Sequence, residues 1–326
     1  MIPALELTQL GKSYDGPRGS SVIVKGFNLK VSPGEFVCII GHSGCGKSTV
    51  LSIVMGLNNP TDGGVILMGK ETSGPGLDRG VVFQSSALLP WLTARQNVLL
   101  SIDQVSKRRG WKERRELAEH NLALVGLGMF ADSYPAELSA GMRQRVGIAR
   151  AFAQEPKVLL LDEPFSLLDV VTRMELQDEI MRLCEERQRT VLMVTHDVDE
   201  ALLLADRVVM MTNGPSATVG EIVTIPFARP RNRFEILVDP VYDRTRTHLI
   251  SFLEERANSR QVAEVPVLKR PMMEENAPRT IPGVTAEELF VVDKYTGFNR
   301  FRGRYRRRHV VEEFVERPTQ ARALLP

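Results

Sequence analysis

An apolar run, Phe36–Ile40, leads directly into Gly41-His42-Ser43-Gly44-Cys45-Gly46-Lys47-Ser48-Thr49. No other feature of the 326-residue chain restricts its fold as much. The spacing fits G-x-x-x-x-G-K-[ST], a pattern that needs a strand before it and a helix after it. Its glycines let consecutive backbone N–H groups curl around phosphate oxygens, and the helix N-terminus adds its dipole. Lys47 then reaches the outer phosphates and Ser48 holds a magnesium ion. A plain glycine-rich turn before a helix needs no lysine at that position.

The rest of the first 225 residues agrees with an α/β core. Strand candidates fall at Leu5–Leu10, Phe36–Ile40, Gly64–Met68, Val81–Phe83, Val158–Leu161, Val191–Thr195 and Val208–Met211. Phe36–Ile40, Val158–Leu161 and Val191–Thr195 read as buried on both faces of a parallel sheet. Between Gln84 and Val158 the strand signal vanishes; Lys112–Val125 and Ser139–Ala153 read as helices, the second opened by a Ser N-cap. A helical subdomain inserted at about 86–155 is the economical reading. No internal repeat is found.

Composition adds exclusions. With 43% hydrophobic and 25% charged residues, the chain is neither disordered nor collagen-like. It has no apolar run of spanning length, and its first ten residues lack the pattern of a secretory signal. Three cysteines without C-x-x-C spacing favour neither a disulfide framework nor a zinc site, so a cytosolic protein is expected. The net charge of +2 hides an asymmetry: residues 226–326 carry 19 Lys and Arg against 14 Asp and Glu, whereas residues 1–225 are slightly acidic. Prolines at 226, 230, 240, 266, 271, 278 and 282 interrupt this basic third. A helix over about Tyr242–Arg256, a linker at 260–283 and a small strand–turn–strand unit in 284–326 are expected there.

Other elements carry chemistry. Val158-Leu-Leu-Leu-Asp162-Glu163-Pro164 is an apolar strand ending in two carboxylates. Asp162 suits magnesium coordination, and Glu163 suits polarising an attacking water. Alone this is equally a strand followed by a solvated acidic turn. Beside a phosphate loop the functional reading gains, because open α/β sheets bind ligands at the C-terminal ends of their strands. Leu138-Ser139-Ala140-Gly141-Met142 is a small-residue turn opening a helix, able to bind phosphate or merely to cap. His196 follows an apolar strand and precedes a helix, where an imidazole meets a phosphate or only packs.

Taken in order, these residues resemble the ATP-binding subunit of ABC transporters. The Walker A loop lies at 41–49, followed by Gln84, the signature at 138–142, Walker B at 158–163, Ser166-Leu-Leu-Asp169 and His196. The resemblance covers about residues 1–235. It implies a P-loop NTPase core with an inserted helical subdomain; the C-terminal helical segment at 236–259 and the irregular basic extension at 260–326 are read from the residues themselves, and 260–326 carries no family likeness. It further implies that Tyr14 stacks on adenine and that Gln84 links magnesium and water to the helical subdomain. Ser139 and Gly141 would bind the γ-phosphate of ATP held by the opposite subunit. Asp169 would cross the dimer interface, and His196 would hold the γ-phosphate. The implied machine is a head-to-tail dimer, of two identical or homologous subunits, that closes on two ATP molecules, hydrolyses them and reopens.

Two departures stand out. The family's usual Leu-Ser-Gly-Gly-Gln appears here with Ala140 and Met142. Were φ positive at 140, alanine there would cost on the order of 1 kcal/mol. Met142 is a familiar variant among importers of small oxyanions. Leu167 stands where alanine is usual and bears on packing at the dimer interface.

A finer likeness points to a branch. Val82-Phe-Gln-Ser-Ser-Ala-Leu-Leu-Pro-Trp91-Leu-Thr resembles the nitrate, sulfonate, taurine and bicarbonate importers. Met193-Val-Thr-His-Asp-Val-Asp-Glu-Ala-Leu, Asp206–Pro215 and Ala228–Arg233 look most like the nitrate, nitrite and cyanate members. These residues carry lineage rather than solute recognition. The expected role is an ATPase that powers import of a small oxyanion, nitrate or nitrite first and sulfonate or taurine second. Its partners would be a membrane permease and, indirectly, a solute-binding protein. It would work peripherally at the cytoplasmic face of the inner membrane, with Trp91 helping to form the groove that receives a short permease helix.

Arg300-Phe-Arg-Gly-Arg-Tyr-Arg-Arg-Arg308 fits contact with anionic lipid or RNA, or no more than a solvated tail. It keeps a rival open, a soluble ABC-type ATPase acting on nucleic acid or ribosomes. Such proteins usually carry two cassettes or a long coiled-coil insertion, and this chain has neither. A purely regulatory ATP switch would not need Glu163 as a water-activating group.

Overall fold

The computed structural model describes residues 2–16, 19–106, 108–186 and 188–263, with side chains through residue 255. They fall within one compact unit, Met1–Pro266. In chain order the elements are β1 (Leu5–Gly16), β2 (Gly19–Val31), β3 (Phe36–Ile40), α1 (Lys47–Met55), β4 (Asp62–Leu67), β5 (Lys70–Glu71), β6 (Arg79–Val82), α2 (Ala94–Val105), α3 (Trp111–Leu124) and α4 (Ala140–Ala153). Then follow β7 (Val158–Asp162), α5 (Val170–Glu186), β8 (Thr190–Val194), α6 (Val198–Leu204), β9 (Arg207–Met211), β10 (Val219–Thr224), α7 (Arg233–Val238) and α8 (Pro240–Ala263).

The apolar runs read as central strands take that place. The six-stranded sheet has the order β10-β9-β3-β8-β7-β6, parallel except for the β10–β9 pair. Alternation along these strands feeds two separate cores. Phe36, Cys38, Ile40, Leu159, Leu161, Val191 and Met193 point to the side covered by α4, α5 and α6. Val37, Ile39, Val158, Leu160, Leu192 and Val194 point to the side covered by α1 and by a second sheet. A strand buried on both faces has no polar alternation to show, which is why these segments read as unbroken apolar runs.

The second sheet, β2-β1-β4-β5, is antiparallel and exceeds the sequence reading, which found only its Leu5–Leu10 and Gly64–Met68 portions. β2 was not foreseen. Its Val24, Phe27, Leu29 and Val31 are buried among exposed Ser, Lys and Asn, and Gly26 at φ 61° breaks the alternation.

Helices α2, α3 and α4 pack on one another between β6 and β7. α2 also went unpredicted, although Thr93 and Gln96 form a full capping box at its start. At the other end, α8 runs through Ala263, so helix occupies the first residues of the expected linker. The remainder of that linker, the expected strand–turn–strand unit and the Arg300–Arg308 run lie outside the described residues.

Candidate active site

The phosphate loop sits where β3 delivers it, at the C-terminal edge of the parallel sheet. Gly46 at φ 101° is the residue before α1, and its missing side chain keeps the turn clear of Ile23 and Val24. Lys47 is buried. Its ammonium donates to the carbonyls of Gly41 at 2.7 Å and His42 at 2.9 Å, so the charge is held inside the loop's own curl.

Neighbouring strands bring the carboxylates alongside. Asp162 ends β7 and accepts a hydrogen bond from Ser48 Oγ at 3.2 Å. Burial raises the Asp162 carboxyl above its ordinary value, against the Ser48 bond, which lowers it. Glu163, next in the chain, has φ 43°, and its N–H is paired to the Val194 carbonyl at 2.9 Å. A left-handed glutamate is a costly local choice of the kind that concentrates at functional sites. It turns the side chain toward two incoming groups. Gln84 Nε2 donates to Glu163 Oε2 at 3.0 Å, and His196 Nδ1 lies 3.2 Å from the same oxygen.

A cleft of about 590 Å³ gathers Tyr14, Ser43, Gly44, Gly46, Lys47, Ser48, Thr49, Gln84, Glu163 and His196. Thus Tyr14, far upstream on β1, joins the phosphate loop, half-exposed and with the Lys12 ammonium 5.0 Å from its ring centroid. Gly41, His42 and Cys45 complete the loop from behind; Cys45 is buried.

The remaining expected residues stand apart from this cleft. Ser139 caps α4, accepting from the Met142 N–H at 3.2 Å. Ala140 is the first helical residue and has no positive φ, so alanine in place of glycine carries no backbone penalty there. A Cβ on Gly141 would lie 3.2 Å from Leu168, which puts the signature turn against the 166–169 segment. Asp169 accepts from the Thr172 N–H at 3.0 Å at the start of α5, and that backbone bond lowers its carboxyl. Leu167, Val170 and Val171 beside it are exposed.

Sequence reading missed the residues that hold the site loops. Buried Gln144 donates to the Phe83 carbonyl at 2.9 Å, and Arg150 donates to the carbonyls of Ala87 at 2.9 Å and Ser86 at 3.3 Å. One face of α4 thereby fixes the loop that carries Gln84. Around His196, Thr195 Oγ1 donates to buried Glu200 at 2.7 Å and accepts the Asp197 N–H at 3.1 Å, pinching the backbone on both sides of the imidazole. Gln177 secures the other oxygen of Glu200 at 3.1 Å. Burial raises the Glu200 carboxyl while the Thr195 hydroxyl lowers it. Only the position of Glu200, four residues past His196 on the inner side of a short helix, hinted at this.

Known proteins place the arrangement. The ABC transporter family profile matches residues 24–166. The bicarbonate transport ATP-binding protein CmpD of Synechococcus elongatus is 52% identical over 254 residues, covering 78% of this chain and 91% of that protein. The nitrate import ATP-binding protein NrtD of the same organism is 52% identical over 247 residues, covering 76% and 90%. Among solved structures, a dimeric bacterial ABC transporter cassette matches with TM-score 0.64 and 34% identity, over 69% of this chain and all of that one. The same cassette has been solved as a dimer in a post-hydrolysis state with ADP and Pi bound, at TM-score 0.63. With its phosphate loop, paired carboxylates and capped signature helix on this fold, the chain belongs to the ABC transporter family, among its ATP-binding proteins.

Proposed function

We propose that this chain is the ATP-hydrolysing subunit of an importer for a small oxyanion, nitrate or nitrite, acting peripherally at the cytoplasmic face of the inner membrane. The observation that carries the reading is the convergence of Lys47, Gln84, Glu163 and His196 on one cleft, with Ser48 paired to Asp162 beneath it. The triphosphate lies along the loop's N–H groups, its charge offset by Lys47, while Tyr14 offers a ring face to the adenine. Ser48 and Asp162, one hydroxyl and one carboxylate held together at 3.2 Å, would hold a magnesium ion, a hard cation that takes oxygen donors of this kind. When bound, the ion offsets the phosphates' negative charge. Glu163 polarises the attacking water and takes its proton, held in aim by Gln84, and His196 steadies the γ-phosphate.

Ser139, Gly141 and Asp169, outside this cleft, act on the nucleotide of a second copy or of a homologous subunit. The dimeric cassette of similar fold supports that assembly. Power reaches the solute through a permease, as the similarity to import ATP-binding proteins suggests; among the described residues no helix is long and apolar enough to cross a membrane. A periplasmic binding protein hands over the solute indirectly. Lipid contact by the Arg300–Arg308 tail stays a secondary expectation. Trp91, 68% exposed on the turn before α2 while Leu88 beside it packs inward, anchors the permease contact. Trp91→Ala should lower permease co-purification and transport-coupled ATPase several-fold with basal ATPase unchanged; unaltered co-purification and coupling would remove Trp91 from the interface.

Solute identity is tested by uptake of labelled nitrate, bicarbonate and a sulfonate in the native cell, comparing wild type with Glu163→Gln. Loss of nitrate uptake alone is expected. A second reading, bicarbonate, is favoured by the 52% identity to a bicarbonate transport protein, equal to that of the nitrate protein. Selective loss of bicarbonate uptake would establish it instead.

A further inference from the structure

The catalytic scheme above leaves α8 unused, yet this helix touches both ends of the nucleotide site. Near its start, Tyr242 is 6% exposed and its hydroxyl donates to Asp199 Oδ1 at 2.7 Å. One turn on, Arg246 Nε donates to the same oxygen at 2.6 Å. Asp199 lies in the first turn of α6, and its N–H donates to Asp197 Oδ1 at 2.9 Å. Asp197 also caps Glu200 at 3.1 Å, and Glu200 grips Thr195, so the bonded path runs from α8 to both neighbours of His196. Farther along α8, the Leu253 carbonyl meets His42 Nε2 at 2.5 Å, and His42 is the residue whose own carbonyl receives Lys47.

We propose that α8 positions the catalytic loops, with Tyr242 and Arg246 acting as positioning residues for His196 through Asp199. The energetics favour positioning over stability. The Arg246–Asp199 pair is about half exposed on both sides, and such pairs add little to folding free energy. The Tyr242 bond instead satisfies a mostly buried hydroxyl that has one fixed direction in which to act. Burial works to raise the Asp199 carboxyl, but the hydrogen bonds from Arg246 and Tyr242 outweigh it and hold it low, so Asp199 is a charged anchor. A pinched turn at His196 supplies the rest. With Thr195 and Asp197 both tied, any shift of the first turn of α6 carries the imidazole with it. Displacement of a reacting group by about 1 Å costs up to about a hundredfold in rate.

The inference rests on the assignment of His196 to the γ-phosphate. Steady-state ATPase is therefore measured on the full chain for Tyr242→Phe/Arg246→Met, for His196→Ala, and for the triple combination, each per titrated nucleotide site. The first variant keeps most of the packing of both side chains and removes their donors together with the Arg246 charge. Its kcat should fall about tenfold with KM for ATP within about twofold of wild type. In the His196→Ala background the same two substitutions should add nothing, because their effect passes through that imidazole. Restoring Arg246 as lysine beside native Tyr242 should bring kcat most of the way back. Thr245→Val, which removes a bond to the Val241 carbonyl within α8 and leaves Asp199 alone, should keep wild-type kcat. The proposal is overturned by a double variant with wild-type kcat while His196→Ala is inactive, or by losses that multiply in the triple variant. Full activity of His196→Ala would instead sink the His196 assignment, and the proposal with it.

Discussion

Glu163→Gln should lower ATP turnover by about a hundredfold or more while leaving ATP affinity near that of wild type. The expectation follows from one oxygen. Glu163 Oε2 is shared by Gln84 and His196, and the substitution keeps the shape, the left-handed backbone and an acceptor oxygen in the cleft. What it removes is the capacity to take a proton from water. Binding depends on other groups, chiefly the loop N–H donors and Lys47, so it survives. A pair of cassettes that binds two nucleotides between them and cannot cleave them should stay closed, and size-exclusion chromatography in ATP should show dimer where wild type returns to monomer. Turnover equal to wild type would take the proton-accepting role away from Glu163. A loss of ATP binding along with turnover would instead mean that the substitution collapses the Gln84–His196 arrangement.

The two halves of that site differ in how far they are readable from sequence, and the difference is physical. The phosphate loop is local: its glycines, lysine and hydroxyl act within nine consecutive residues, so spacing alone conveys the geometry. Asp162 and Glu163 are nearly as plain, because a strand buried on both faces must run polar where it leaves the sheet. Gln84 and Tyr14 were found through family likeness rather than chemistry, and His196, open as a strand-end imidazole between phosphate contact and packing, took its role from the same likeness. Their role depends on three separate strand ends arriving at one cleft, which no local pattern encodes. Gln144, Arg150, Glu200 and Gln177 were invisible for a different reason. They are polar side chains on helices, and a sequence cannot distinguish a solvated glutamine from one buried against the Phe83 carbonyl. The antiparallel sheet was half-read because β2 mixes bulges and lysines into its apolar alternation. The question raised by Ala140 dissolves once Ser139 is seen to be the cap and Ala140 the first residue of α4, where alanine is the best helix former.

Lys47→Ala should act on the other half of the cycle, weakening ATP binding about 10- to 100-fold, the equivalent of ~1.5–3 kcal/mol for a hydrogen bond to a charged group. The ammonium is buried and already pinned by the Gly41 and His42 carbonyls, so its place is prepaid before nucleotide arrives. That pre-organisation is why the effect falls on affinity and not only on rate: the charge meets the phosphates with no side-chain ordering left to do. Alanine also strands two carbonyl acceptors, so part of any loss reflects a disturbed loop. Lys47→Met separates the ammonium from its stem, since it fills the aliphatic space while removing the charge and both hydrogen bonds together. Both variants should lose about half or more of the stabilisation, read as a thermal shift, that ATP gives wild type. That stabilisation is about 2.7 kcal/mol at a hundredfold excess over Kd and falls to ~0.4–1.4 kcal/mol at the same ATP concentration when binding is 10- to 100-fold weaker. If Lys47→Met retained that shift, the phosphates would be held by the backbone N–H groups of the loop. Lys47 would then serve the loop through the packing of its buried stem, and its charge and its bonds to the Gly41 and His42 carbonyls would be incidental to binding.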